Sequence, residues 1–334
     1  MSAAEGAGTL RATRSEAARR AVFAIYGVAA VVLATAYLFA RDRFWWIEPL
    51  TVWPAFFWFV PLLPLAVAGT DRRNRRRVAV AAWLAVLLLV AGEEWRSLLR
   101  PRREVEGIRI ATWNLGGSDG DPAAREAAIR AARPDLLAIQ EAPADLDALA
   151  AWGALPHRAE LGELAILSRY PILDESSHPL GRWAPAQRVR VDAPGAGPLV
   201  VWNGRYELPA LRLDLWRPDA WRAWREAWRA RRDAFEELAG LAARDAAAGP
   251  VAVAGDFNTP ARSALLAPLR AAGLRDAWRR SGSGWGRTIT AEFPSARIDA
   301  VWVGGGHAAA ASWAFGDARC SDHLGVVAVL APAQ

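Results

Sequence analysis

The chain has 334 residues, 53% of them hydrophobic, so a sizeable buried core is within reach. All 41 basic residues are arginine, and the single cysteine, Cys320, excludes an intramolecular disulfide framework. The net charge of +6 is uneven: residues 1–103 hold 15 arginines against 7 acids, whereas residues 104–334 hold 26 against 28. At −2, the second segment lacks the broad positive field of a protein that grips nucleic-acid phosphates non-specifically.

In chain order, residues 21–40 and 49–70 form uncharged runs of 20 and 22 residues. Each is long enough to cross a hydrocarbon core of about 30 Å. Pro54, Pro61 and Pro64 would break a soluble helix but are tolerated in membrane helices. Residues 78–92 make a shorter run of 15, with Trp83 and Trp95 placed as interfacial anchors. The expectation is an N-terminal anchor, 1–92, with three transmembrane helices over 21–40, 49–70 and 78–92 in the plasma membrane. A buried core helix is the alternative for each run. A cleavable signal peptide ending near Ala34-Thr35-Ala36 is the alternative for the first. Arg11, Arg14, Arg19 and Arg20, and the basic loop 71–77, put the N-terminus and that loop in the cytoplasm. Three spans then leave the rest of the chain extracytoplasmic, although Arg96, Arg100, Arg102 and Arg103 count for the opposite side.

Residues 93–106 read as a charged linker and 107–334 as a folded domain. Apolar runs at 108–114, 136–140, 164–168, 199–204, 251–257, 297–303 and 325–330 predict strands. Helices are predicted over 122–133 and 219–247. The second carries Trp221, Trp224, Trp228, Phe235 and Leu238 near one face and Arg222, Arg225, Arg229 and Arg232 on the other. A core-facing stripe is the favoured reading of that helix, and a membrane-surface helix the rival. Alternation of strands and helices predicts an α/β or α+β class.

Short polar islands end these apolar runs: Thr112-Trp113-Asn114, Gln140-Glu141, Leu167-Ser168-Arg169-Tyr170-Pro171, Gly255-Asp256-Phe257-Asn258, Arg297-Ile298-Asp299 and Ser321-Asp322-His323. Carboxylates, carboxamides and an imidazole delivered by strand ends suit a hard divalent cation and a phosphoryl group. Taken singly, each is bland: a strand-end Glu is commonly exposed, an Asn commonly forms a turn, a His is commonly structural. Asp256 and Asn258 alternate across Phe257, so their side chains leave the same face of a strand.

In order and spacing the series resembles the endonuclease/exonuclease/phosphatase family, over roughly residues 107–331. The resemblance implies a four-layer α-β-β-α sandwich of two mixed sheets. It implies Mg²⁺, with Mn²⁺ as a substitute, held by Glu141, Asn114 and Asp322. It gives Asp256 the task of activating a water and Asn258 that of binding the transition state. Asp299 becomes the acidic partner in the preceding segment, and His323 the imidazole on the scissile phosphate.

One departure concerns a His that many members carry at the end of a middle strand. Here the stretch reads Trp202-Asn203-Gly204-Arg205-Tyr206-Glu207-Leu208-Pro209, and Tyr206 is the candidate replacement, since abasic-site endonucleases use a Tyr there. The expected function is a membrane-anchored, metal-dependent phosphoesterase. Its substrate would be a lipid-linked phosphate ester or pyrophosphate, as for anchored members that act on polyprenyl pyrophosphate carriers of cell-wall synthesis. An anchored nuclease and an inactive binding module are the alternatives.

Overall fold

Runs of Val, Ile, Leu and Ala bounded by turn residues fold into two mixed sheets that pack face to face. The structure is a computed structural model that describes residues 3–60, 73–91, 93–117, 119–181 and 184–333. The chain divides into two units, Met1–Gly92 and Glu93–Gln334.

In the first unit, a helix over Ala3–Thr35 continues into a π-helical turn over Ala36–Ala40. Among the described residues one helix is long and apolar enough to cross a membrane, the 25 residues of Glu16–Ala40. The second expected span is described only to residue 60, and there it is broken: a helix over Glu48–Thr51 stops short of Pro54. Its remainder, 61–70, and position 92 of the third lie outside the described residues. The third falls in a helix over Arg73–Ala91 that opens on arginines. Its apolar part starts at Val78, so at 1.5 Å per residue it covers only about 20 Å. Tyr26, Phe59, Ala79 and Trp83 close into one buried cluster, and the Trp83 indole donates to the Phe59 carbonyl.

The strands of the second unit are β1 (Ile108–Asn114), β2 (Leu136–Gln140), β3 (His157–Leu161), β4 (Leu164–Ser168), β5 (Ile172–Leu180), β6 (Ala184–Ala193) and β7 (Gly197–Arg205). Then come β8 (Val251–Asp256), β9 (Arg275–Asp276), β10 (Gly282–Ser283), β11 (Asp299–Gly304), β12 (His307–Phe315) and β13 (Gly325–Pro332). One sheet has the order β10-β12-β13-β1-β2-β4-β3 and the other β5-β6-β7-β8-β11-β9. Helices α1 (Pro122–Ala132) and α2 (Leu146–Gly153) cover the outer face of the first, and α3 (Pro218–Ala248) that of the second.

Three apolar layers hold these four layers together. Ile110, Leu136 and Ile166 meet Val189, Val201 and Val301 between the sheets. Trp113, Ile139 and Val329 meet Ile129 and Leu149 outside one sheet, and Trp202 and Val253 meet Phe235 and Leu238 outside the other. Each fully buried side chain of this kind contributes about 1.5–3 kcal/mol, so the layers dominate the stability. On α3 the expected stripe holds in part: Trp224, Phe235 and Leu238 are buried and Arg222 and Arg229 exposed, while Trp221, Trp228, Arg225 and Arg232 are half-buried.

One layer between the sheets is polar. Gln140 Nε2 donates to Asn203 Oδ1 at 2.6 Å and to Thr112 Oγ1 at 3.0 Å. Asn203 Nδ2 donates to the carbonyls of Ile139 and Ala165 and to Gln187 Oε1. All four side chains are buried and satisfied, as buried amides must be. One step beyond this layer the central strands end.

Candidate active site

Both sheets are parallel at their centres, β1 beside β2 and β7 beside β8. A parallel pair ends at a common edge, which is why the polar islands collect there. Asn114 ends β1, Glu141 follows β2 and Asp256 ends β8. The antiparallel neighbours begin at the same edge: Asp299 opens β11 opposite Asp256, and His323 precedes β13. Glu141 and Asn258 sit in the left-handed backbone region at φ of 47° and 45°. Such conformations cost non-glycine residues about 1–3 kcal/mol and cluster at working sites. Gly255 lets the two central strands approach: at φ 154°, a Cβ there would lie 2.1 Å from the Gly204 carbonyl oxygen.

One amide joins the two sheets. Asn114 Nδ2 donates to Glu141 Oε1 at 2.9 Å and to Asp256 Oδ2 at 3.1 Å, while its Oδ1 accepts from the Gly116 N–H at 3.0 Å. Asp256 Oδ1 accepts from the Asn258 N–H at 2.9 Å, and Asn258 Nδ2 donates to the Tyr206 carbonyl at 2.9 Å. His323 Nδ1 lies 2.9 Å from Asp299 Oδ2. Ser321 Oγ donates to the Asn114 carbonyl and accepts from the His323 N–H. Asp322 is exposed, and its Oδ1 is 3.4 Å from where a Cβ of Gly116 would stand.

The charges are strongly coupled. Burial raises the Asp256 pKa, the nearby charge of Asp299 raises it further, and His323, the Asn258 N–H and the Asn114 amide only partly offset this, leaving it at about 7. Burial lowers the His323 pKa, but Asp299, aided by Asp256 and Asp322, outweighs it and lifts the imidazole to about 9. His323 is therefore an imidazolium at neutral pH, with Nδ1–H on Asp299 and Nε2–H available to an anion.

Of the eight residues expected from sequence, Asn114, Glu141, Asp256, Asn258, Asp299, Asp322 and His323 meet at this edge. Asn114 is placed as a bridge between carboxylates, with its oxygen engaged by Gly116, where a metal ligand was expected. The Tyr206 side chain does not reach the edge. Its ring stacks on Phe257 and tilts against Phe235 in the layer beneath α3, with centroids 5.1 and 5.0 Å away. Strand alternation explains the correction: Asn203 and Arg205 face between the sheets, so Tyr206 faces α3. Arg205 takes the place expected of Tyr206, with Nη2 2.8 Å from Glu141 Oε1 and Nη1 3.7 Å from Glu163 Oε2. Its Nε is buried without a hydrogen-bond partner. Counting two residues on from Asn203 in the 199–204 run would have found it.

The Tyr206 hydroxyl is buried with no hydrogen-bond partner, and burial raises its pKa. Removing an unsatisfied buried hydroxyl is favourable. Tyr206→Phe should therefore gain about 1 kcal/mol in thermal unfolding and keep turnover within twofold. A tenfold loss of turnover would return the phenol to the chemistry.

A hard divalent cation fits this donor set. Both neighbours of the Glu141 carboxylate use Oε1, which leaves Oε2 for a ligand role. Asp299 Oδ1 is fully buried with no hydrogen-bond partner. Ligand atoms of Asp256, Asp299 and His323 lie within 4.8 Å of one another. There the proton held between His323 and Asp299 is the resident positive charge. At Glu141 the neighbouring cation is the Arg205 guanidinium, which holds Oε1 and leaves Oε2 to a ligand.

An α-β-β-α sandwich with acids, amides and a His–Asp pair at the edge of its central strands defines a class, the hydrolases of phosphoester bonds. The chain belongs to the endonuclease/exonuclease/phosphatase family, whose model matches residues 111–323. Members of this family typically use divalent metals. No curated protein matches the sequence. A solved endonuclease/exonuclease/phosphatase from Beutenbergia cavernae is 22% identical with a TM-score of 0.56, covering 69% of this chain and 72% of its own. One from Bacteroides vulgatus is 16% identical with a TM-score of 0.53, covering 69% and 100%. A humanized D. rerio TDP2 is 17% identical with a TM-score of 0.51, covering 67% and 98%. At these identities the likeness speaks to the fold.

Proposed function

We propose that the chain is a membrane-anchored, metal-dependent phosphoesterase that cleaves a phosphate ester or pyrophosphate of a lipid-linked substrate at the outer membrane surface. The observation that carries this is the Asn114 amide, which binds Glu141 of one sheet to Asp256 of the other and so fixes a ligand and a base side by side. Mg²⁺ or Mn²⁺, when bound, polarises a phosphoryl oxygen and stabilises charge in the transition state. Glu141 and Asp322 are the carboxylates that would hold it.

Asp256 accepts the proton of the attacking water; its pKa of about 7 suits a base near neutral pH. His323, kept protonated by Asp299, donates Nε2–H to a phosphate oxygen. Asn258 Nδ2 is engaged by the Tyr206 carbonyl, so in place of the transition-state contact expected of it this residue ties the end of β8, where Asp256 is in register with Arg205. Arg205 offers a fixed guanidinium to the phosphate where many relatives have a His.

The anchoring reading rests on Glu16–Ala40 and on the closure of Tyr26, Phe59, Ala79 and Trp83, drawn from three segments. Should all three expected runs cross, with the basic loop 71–77 inside, the catalytic unit is extracytoplasmic. A C-terminal phosphatase reporter should be active; a silent one beside an active cytoplasmic reporter would reverse the topology.

Purified protein should release phosphate from a lipid pyrophosphate with Mg²⁺ or Mn²⁺ and stop with EDTA. Glu141→Gln should raise the metal concentration for half-maximal rate about tenfold, since one anionic ligand is lost from a hard cation. Lipid substrates in detergent should outperform duplex DNA; DNA cleavage with no lipid turnover would make the chain a nuclease.

A further inference from the structure

The segment between β7 and α3, residues 206–217, has no regular secondary structure, yet it is tightly held. Two indoles of α3 donate into it: Trp221 to the Leu215 carbonyl at 2.7 Å and Trp224 to the Arg212 carbonyl at 2.9 Å. Arg212 pairs with Asp214 inside it and, at 2.8 Å, with Asp219 in the first turn of α3. The segment starts at the catalytic edge, because Tyr206 N–H donates to the Asp256 carbonyl and the Tyr206 carbonyl accepts from Asn258.

What this scaffold displays is apolar. Leu208, Leu211, Leu213 and Trp216 are 48%, 47%, 59% and 82% exposed. Leu211 is in the left-handed region at φ 49°, a conformation leucine rarely takes. Among the described residues of the second unit, the other large exposed hydrophobics are Leu98, Leu99, Leu173 and Phe293, so half of the set falls within nine residues. Phe293, 70% exposed, lies in the turn whose Ala291 N–H donates to the Asp322 carbonyl, so it too borders the catalytic edge. An ordered loop that exposes leucines and a tryptophan is an interaction surface.

We infer that this loop is a membrane-contact element that seats the catalytic edge on the lipid headgroup layer. It rests on the anchored reading above, which keeps the domain at a bilayer through Glu16–Ala40. A Trp with neighbouring leucines suits the boundary between headgroups and acyl chains. Beside the loop, the first turns of α3 carry the exposed Arg222 and Arg229, attractive to anionic lipid. Seated in this way, the edge meets a phosphate at headgroup depth without extracting the lipid.

The test uses the full chain in proteoliposomes of zwitterionic and anionic phospholipid. An environment-sensitive fluorophore is placed at Leu213→Cys, Trp216→Cys and, as control, Asp192→Cys on β6, exposed at the opposite end of the sandwich. Cys320 is buried and does not compete for label. Labels at 213 and 216 should shift to shorter wavelength and be quenched by shallow lipid-borne nitroxides, and the label at 192 should do neither. The triple variant Leu211→Ser, Leu213→Ser, Trp216→Ser should lose about tenfold in turnover of a phosphate ester held in the bilayer and keep its turnover of a water-soluble ester. If labels at 213 and 216 behave like the one at 192 while an alkaline carbonate wash leaves the chain embedded, the loop proposal is wrong and the anchor stands. If carbonate releases the chain, the anchored reading falls, and the same labels read against added vesicles still decide the loop. Loss of both activities in the triple variant would make the loop a structural part of the site and overturn the inference.

Discussion

Asp256→Asn should lower turnover by about 10²–10⁴-fold while making the metal-free protein more stable above neutral pH. Asp256 is 1% exposed, and burial, followed by the charge of Asp299, lifts its pKa from 3.8 to about 7. A carboxyl raised on folding binds its proton more tightly in the native state than in the unfolded chain. Stability is thus highest with the proton on, and it drains away as pH rises from about 4 through about 7. Asparagine keeps the shape and cannot ionise, so it escapes that loss, which is on the order of a few kcal/mol. In EDTA the melting temperature of the parent should fall between pH 5 and pH 8, and that of the variant should fall less. A turnover loss below tenfold, or parallel melting curves, would remove Asp256 from the role of base.

Arg205→Gln should move two measurements in opposite directions. The guanidinium shares Glu141 Oε1 with Asn114, 2.8 Å away, and so places a positive charge beside a ligand for a positive ion. The side chain is 38% exposed, which screens the repulsion to about 1 kcal/mol. Its removal should tighten Mn²⁺ binding by calorimetry roughly fivefold. Turnover should meanwhile fall about 10²-fold, the usual effect of removing one donor from a developing anion. Arg205→Lys should restore weak metal affinity and only part of the rate, since a single ammonium lacks the fork. If Arg205→Gln weakens metal binding and turnover together, Arg205 is a structural strut.

The strands legible from sequence were those with uninterrupted apolar runs. β1, β2 and β4 begin and end where the runs at 108–114, 136–140 and 164–168 do, because both faces of these strands are buried. β5 and β6 were missed because they lie toward the edge of their sheet, and β5 carries Asp174, Glu175, His178 and Pro179. β12 was missed for another reason: four consecutive alanines, Ala308 to Ala311, favour a helix locally, and pairing with β13 overrides them. At the site, ordered motifs placed seven residues at one edge. Arg205 is illegible from the resemblance, which points to an aromatic, whereas strand parity alone decides which of two adjacent side chains looks inward.

The candidate catalytic groups are divided between the two sheets: Asn114, Glu141 and His323 on one, Arg205, Asp256 and Asp299 on the other, with the Gln140–Asn203 amide pair stapling them just below. Neither half holds a complete set. On the proposed reading, activity therefore reports the docking of one sheet on the other. Assembly of the two sheets and the onset of chemistry are, on that reading, one event.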